Sequence, residues 1–178
     1  KAEAAELQKI MDREGKGEKL EAWDWWYYAE KLRQEKYDLN EDAIKPYFSQ
    51  EDVHNGLCTV VNKLYGITLT PCDSISVYNK DVKTYIVKDA DGSLLGVFYS
   101  DYMPRASKRS GAWMSNFREQ QEGVRPLIYN VASFTKPAGD LPSLLTIDEA
   151  RTMYHEFGHA LHGLLTQCKY KGVSGTSV

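Results

Sequence analysis

Cysteine is scarce in this chain of 178 residues: Cys58, Cys72 and Cys168 are odd in number, far apart, and in no C-x-x-C pattern. That usage argues against a disulfide framework and makes a reducing compartment, the cytoplasm, the expected location, with the periplasm as the alternative. Long apolar runs are absent too. Nothing approaches the roughly 20 residues needed to cross a bilayer, so no membrane partner is expected. The N-terminal Lys-Ala-Glu-Ala-Ala-Glu has no apolar signal core. An excess of one charge is also missing: 22 Lys and Arg stand against 25 Asp and Glu, a net charge of -3. That balance gives no reason to expect nucleic acid or an anionic membrane as partner. No internal repeat, low-complexity tract or obvious linker breaks the chain. Hydrophobic residues at 42% and charged residues at 26% are those of a globular domain.

The segments read in three blocks. Residues 1–67 form a helical segment, interrupted at Gly15-Lys16-Gly17. Within it, Leu20, Trp23, Tyr27 and Leu32 recur at near-helical spacing, which predicts an amphipathic helix from Glu21 to Tyr37. The aromatic cluster Trp23, Trp25, Trp26, Tyr27 and Tyr28 is expected in the core rather than lining a cleft. Asn40 and Ser49 are good N-cap types, and Ser49 with Asp52 makes a capping-box pattern. Val53, Leu57, Val60, Val61 and Leu64 then mark a helix over about 50–65, ended near Gly66, with His54 in a surface or capping role.

Residues 68–135 are β-rich. Val82 to Val87 and Leu94 to Ser100 flank Asp89-Ala90-Asp91-Gly92, whose Asp-Gly step signals a hairpin. Pro126 to Phe134 is a further strand. Arg105, Lys108 and Arg109 are expected in a solvated loop, and Lys136 to Ser143 is a loop with two prolines and a glycine. Residues 146–167 then carry a helix opened by a second capping box, Thr146 with Glu149. Ile147, Ala150, Tyr154, Phe157, Leu161 and Leu164 should bury against the strands. His155, His159 and His162 fall on another face.

Histidine is rare, at four in the chain, yet three lie on this one helix. His155-Glu156-Phe157-Gly158-His159 is the H-E-x-x-H pattern. Positions i and i+4 share a helix face one turn apart, so two imidazoles can present nitrogens to a single zinc ion. Glu156 is the candidate general base toward a zinc-activated water attacking a peptide carbonyl. A catalytic zinc takes three protein ligands. His162 is too close along the helix to complete a tetrahedron well, and Cys168 pairs with nothing at a recognised spacing. The longer metzincin pattern fails, since it needs Gly and His where His162 and Leu165 stand. From Ala160 to Val178 there is neither Asp nor Glu. A carboxylate ligand would therefore lie beyond this stretch, and the chain is expected to be a partial catalytic domain.

With the helix in place, the stretch His-Glu-Phe-Gly-His-Ala-Leu-His-Gly-Leu resembles the active-site helix of the thimet oligopeptidase family of zinc peptidases. The bacterial dipeptidyl carboxypeptidase branch is the nearer likeness. Trp23 to Tyr28, Leu32 to Tyr37 with Pro46-Tyr47-Phe48, Gly111 to Phe117, and Ile128 to Val131 with Lys136-Pro137 resemble it in the same order. The resemblance implies one Zn²⁺ held by His155 and His159, with Glu156 as general base. It implies a third ligand, a glutamate on a later helix, for which Gly175-Thr176-Ser177-Val178 resembles the approach. It also implies a downstream loop bearing tyrosine and histidine, and further helices walling a channel for short peptides. The substrate-pairing edge strand of such enzymes resembles Ile128 to Phe134, making Ala132 and Ser133 candidate backbone contacts.

These readings predict an α+β fold: N-terminal helices, a small, mostly antiparallel sheet, and the zinc-motif helix packed on it. The whole would be part of a larger, mainly helical zincin-type peptidase acting on short peptides by release of C-terminal dipeptides. The chain alone is expected to be inactive without the remainder of its own polypeptide. Rival readings are an endo-acting oligopeptidase, a complete small metalloprotease completed by His162, Cys168 or a partner's side chain, and a non-catalytic zinc-binding module.

Overall fold

The computed structural model describes the chain except residues 1, 16, 38–40, 138, 140 and 177–178, and the side chains of residues 41 and 42. Asn40, Ser177 and Val178 thus lie outside the described residues, as do two positions of the 136–143 loop. The chain divides into two compact units, Lys1–Ile44 and Lys45–Val178.

The first unit is a helical hairpin, α1 (Ala2–Arg13) and α2 (Trp25–Tyr37), followed by the short α3 (Glu41–Ile44). Leu7, Ile10, Met11 and Tyr28 form its small core, with Leu20, Trp25, Ala29 and Leu32 around them. Arg13 holds Glu35 through two hydrogen bonds of 2.8 and 3.0 Å, and Lys36 reaches Glu6 at 2.6 Å. The expected aromatic stripe is rotated. Trp25, Tyr28 and Leu32 face inward, while Trp23 and Trp26 are 80% and 82% exposed. The helix begins at Trp25, not Glu21, so the period counted from Leu20 is out of phase with the buried row.

The second unit carries the sheet. Helix α4 (Gln50–Tyr65) starts where Ser49 Oγ accepts from the Asp52 backbone N–H, and ends at Gly66, whose φ of 73° suits only a residue without a side chain. Strands β1 (Thr68–Pro71), β2 (Lys83–Lys88), β3 (Leu94–Asp101), β4 (Trp113–Arg118) and β5 (Leu127–Val131) follow, then α5 (Ile147–Leu165). The spatial order is β1-β2-β3-β5-β4. β2 and β3 form the predicted hairpin, with the Gly92 N–H bonded to Asp89 at 2.9 Å. β1–β2 and β4–β5 are also antiparallel, and β3–β5 is parallel. Pro71, which cannot donate to a ladder, sits on the edge strand β1.

α5 and α4 cover one face of the sheet in a single core containing Leu57, Val61, Phe98, Ile128, Met153, Phe157 and Leu164. Phe157 meets Phe98 edge-on at 5.0 Å between centroids. On the other face Tyr99, Phe117 and Tyr129 stack, with Phe117–Tyr129 centroids 4.5 Å apart. The chain is therefore α+β, with the motif helix packed on a mostly antiparallel sheet.

Candidate metal centre

The motif helix is anchored at both ends. Thr146 and Glu149 close the capping box reciprocally at 2.8 and 3.1 Å. The Leu145 N–H bonds to Phe48 O and the Gln50 N–H to Ser143 O, both at 2.8 Å, tying the starts of α4 and α5 together. At the far end Arg125 donates to Leu164 O at 2.6 Å and to Leu95 O at 2.7 Å, joining the last turn of α5 to β3. Gly163 allows the closest approach to the sheet, since a Cβ there would lie 2.7 Å from Ile128 Cδ1.

The buried row of α5 is Ala150, Met153, Phe157, Ala160, Gly163 and Leu164. Tyr154, expected inside, is 40% exposed, and its hydroxyl lies against Gly56 of α4, where a Cβ would be 3.1 Å away. Small residues at 160 and 163 let the helix settle closer to the sheet, which turns Tyr154 to the flank. His155, His159 and His162 are exposed on the outer face, and Glu156 is half-buried beside them.

His155 Nε2 and His159 Nε2 converge to 3.2 Å, with ring planes crossed at 83°. Two imidazole nitrogens bound to one tetrahedral zinc at about 2.0–2.1 Å lie about 3.3 Å apart. The pair therefore fits the bite of a zinc ion. Among the described residues no third His, Cys, Asp or Glu joins it. His162 and Cys168 do not complete the set. The Cys168 thiol instead donates to Val173 O at 3.1 Å.

Tyr102, the residue after β3, lies near Asn130 of β5 and Glu156. Burial raises the Tyr102 hydroxyl above its ordinary pKa; a contact with Asn130 opposes this, and the nearby Glu156 charge adds to it. Residues 128–131 of the strand expected to offer an edge to substrate are not at an edge. β5 is enclosed by β3 and β4 over its whole length, and β4 is the outer strand on that side. The Ala132 N–H is bonded to Asp101 O at 2.9 Å, and Ala132 O accepts from Lys108 Nζ. Ala132 is buried and Ser133 half-buried. Among the described residues, no main-chain hydrogen bond is found for Ser133.

Two further expectations are corrected here. Lys108 is not in a solvated loop. Its side chain is 4% exposed and its Nζ lies 3.0 Å from Asp101 Oδ1, while Arg105 grips both Asp101 oxygens at 2.7 and 2.8 Å. Tyr78 also donates to Asp101, at 2.8 Å. A fully buried carboxylate recruits every donor within reach because an unpaired charge there is costly. His54 is not at the surface either. Its ring stacks on Tyr85 at 4.8 Å, and its Nε2 lies 3.6 Å from Cys58 Sγ. Gln120, Arg125, Lys108 and Asp101 carried no sequence signal, since each is an isolated polar residue whose partners are distant in the chain.

The model for peptidase family M3 matches residues 1–178. The chain belongs to peptidase family M3. It is 44% identical over 178 residues to the dipeptidyl carboxypeptidase of Salmonella typhimurium and 43% identical to that of Escherichia coli. Oligopeptidase A of Escherichia coli is 37% identical over 180 residues. Each alignment covers 98% of this chain and 26% of the relative, so the chain spans about a quarter of the length of these relatives. No helix among the described residues is long and apolar enough to cross a membrane.

Proposed function

We propose that this chain is part of the catalytic domain of a zinc-dependent peptidase that hydrolyses short peptides, releasing dipeptides from their C-termini. The 3.2 Å convergence of His155 and His159 beside Glu156 carries the reading. The likeness to dipeptidyl carboxypeptidases, above that to oligopeptidase A, favours exo-action over endo-action. One zinc ion would be held by His155, His159 and a third ligand, a glutamate on a later helix of the larger, mainly helical enzyme. Bound zinc lowers the pKa of a water to about 7 and polarises a carbonyl. Glu156 accepts the proton of the attacking water and passes it to the leaving amine. Fixed on the same turn as the ligands, it needs no separate positioning.

Substrate meets the sheet on the β4 side. An extended peptide adds to an open strand edge through main-chain hydrogen bonds, and β4 is the outermost strand there. Ala132 and Ser133, which follow β5 beyond the end of its pairing with β4 at Val131, are the further candidate backbone contacts. Partners are short peptides and the remainder of the protein's own chain, with no nucleic acid and no membrane. Three free thiols fit the cytoplasm better than the periplasm.

The experiment compares the product of the complete gene with the 178-residue chain on a blocked oligopeptide. The complete protein is expected to release C-terminal dipeptides, seen by mass, and the chain alone to be inactive. Glu156→Gln should cut turnover by about 10²–10⁴-fold with zinc content unchanged. Undiminished turnover in that variant would sink the mechanism. Internal cleavage would favour the oligopeptidase reading, and zinc binding without turnover would favour a non-catalytic module.

A further inference from the structure

The loop after α5 doubles back along its own helix. Thr166 Oγ1 donates to His162 O at 2.8 Å and accepts from the Gly175 N–H at 3.1 Å. A Cβ on Gly175 would lie 3.5 Å from the Gly163 Cα, so loop and helix touch one turn beyond His159. Arg125 on Thr166 O at 3.4 Å and the Glu122 N–H on Lys169 O at 3.3 Å help hold this path, and one side chain from after β4 joins both of its limbs. Gln120 is 5% exposed, and its amide engages both backbone groups of Cys168: Nε2 donates to Cys168 O at 2.9 Å and Oε1 accepts from the Cys168 N–H at 2.8 Å. The same Oε1 accepts from the buried Ser174 hydroxyl at 3.4 Å. One amide thus binds the outgoing and returning limbs of the loop. Neither a helix nor a strand ladder fixes residues 166–170.

We propose that Gln120 is a positioning residue of the metal centre, locking the loop after α5 into the path that returns to the helix at Gly163, one turn beyond His159. Two imidazoles supply two of the three protein ligands a catalytic zinc takes. The third must be presented on the flank of α5, and the returning loop defines that flank at Gly163. A loosened loop widens the range of positions from which a ligand can be offered. Metal affinity then falls while the two histidines stay in register, because the capping box and the helix core hold them independently. Partners that orient ligands without touching the metal typically change affinity 10–100-fold.

This inference rests on the zinc reading, and the test separates the two. In the protein expressed from its complete gene, zinc and cobalt(II) affinities are measured by competition with a chromophoric chelator, alongside the cobalt d–d spectrum and thermal stability. Gln120→Ala is expected to keep one metal per chain, weaken affinity about 10–100-fold and alter the d–d bands. Gly175→Ala perturbs the same loop from its other limb, at a φ of +62°, and is expected to act in the same direction even where Gln120→Ala fails to fold. Val61→Ala, on the buried face of α4, should lower thermal stability without moving the affinity or the spectrum. Affinity within twofold of wild type in both loop variants overturns the inference, as does an equal loss in Val61→Ala. Undiminished metal binding by His155→Ala overturns the zinc reading and this inference with it.

Discussion

His155 and His159 hold their Nε2 atoms 3.2 Å apart, with ring centroids 4.8 Å apart, on the exposed face of a helix whose opposite face is locked into the core. That spacing fits the bite of one bound cation. Zinc added to the complete protein at about 100 times its Kd should raise stability by about 2.7 kcal/mol. His155→Ala and His159→Ala should each abolish that gain, read as a thermal shift that chelator reverses in the wild type.

Asp101 is the electrostatic pivot of the sheet end. Burial pushes its pKa up, but hydrogen bonds from Arg105, Lys108 and Tyr78 outweigh this and leave it below the usual carboxylate value. A depressed carboxylate contributes stability above its unfolded pKa of about 3.9 and loses it as pH falls through the lower folded value. Asp101→Asn leaves Lys108 buried without its counter-charge and should cost about 3–5 kcal/mol in urea unfolding at neutral pH. Acid unfolding of the variant should also lose part of its pH dependence below about 4.

His54 gives a second pH signature at higher pH. Burial foremost, and the charge of Lys83 next, lower its pKa, with Glu51 opposing weakly. The unfolded chain then binds a proton that the folded chain refuses, so stability drops as pH falls below about 6.5. His54→Gln should flatten the stability profile between about pH 5 and 7. An unchanged slope in chemical denaturation would remove His54 as the cause.

Gly96 marks where β3, β5 and the end of α5 converge. A Cβ there would lie 2.8 Å from Pro126 O and 2.9 Å from Leu164 Cδ2. Backbone cannot swing aside as a side chain can, so Gly96→Ala should destabilise by about 1–3 kcal/mol. Denaturant midpoints read the loss directly. Gly92→Ala, where nothing lies within 4 Å of the added Cβ but φ is +83°, separates strain from crowding.

What was legible in the sequence was local. Ser49 and Thr146 announce the starts of α4 and α5, because a capping hydroxyl needs only the next three residues. The Asp-Gly step between β2 and β3 is equally short-range, and the spacing of His155 and His159 follows from helix geometry alone. Strands β1 and β4 were not individually legible. Neither shows a clean alternation, because β1 is mostly exposed and β4 is half-buried for most of its length.

Tertiary packing decided the rest. Which side of α2 faces inward depends on its packing against α1, and whether Tyr154 or Met153 meets the sheet depends on how closely Ala160 and Gly163 let α5 approach. Enclosing β5 between β3 and β4 moved the open edge to β4, a matter of strand order that no strand carries in its own residues. Lys108 and Gln120 acquired partners 7 and 48 residues away, at Asp101 and Cys168. The sequence alone determined that two imidazoles and a carboxylate share one helix, because that needs only a helical period. Only the folded chain decided what surrounds them, because buried charges and strand edges are satisfied by neighbours in space.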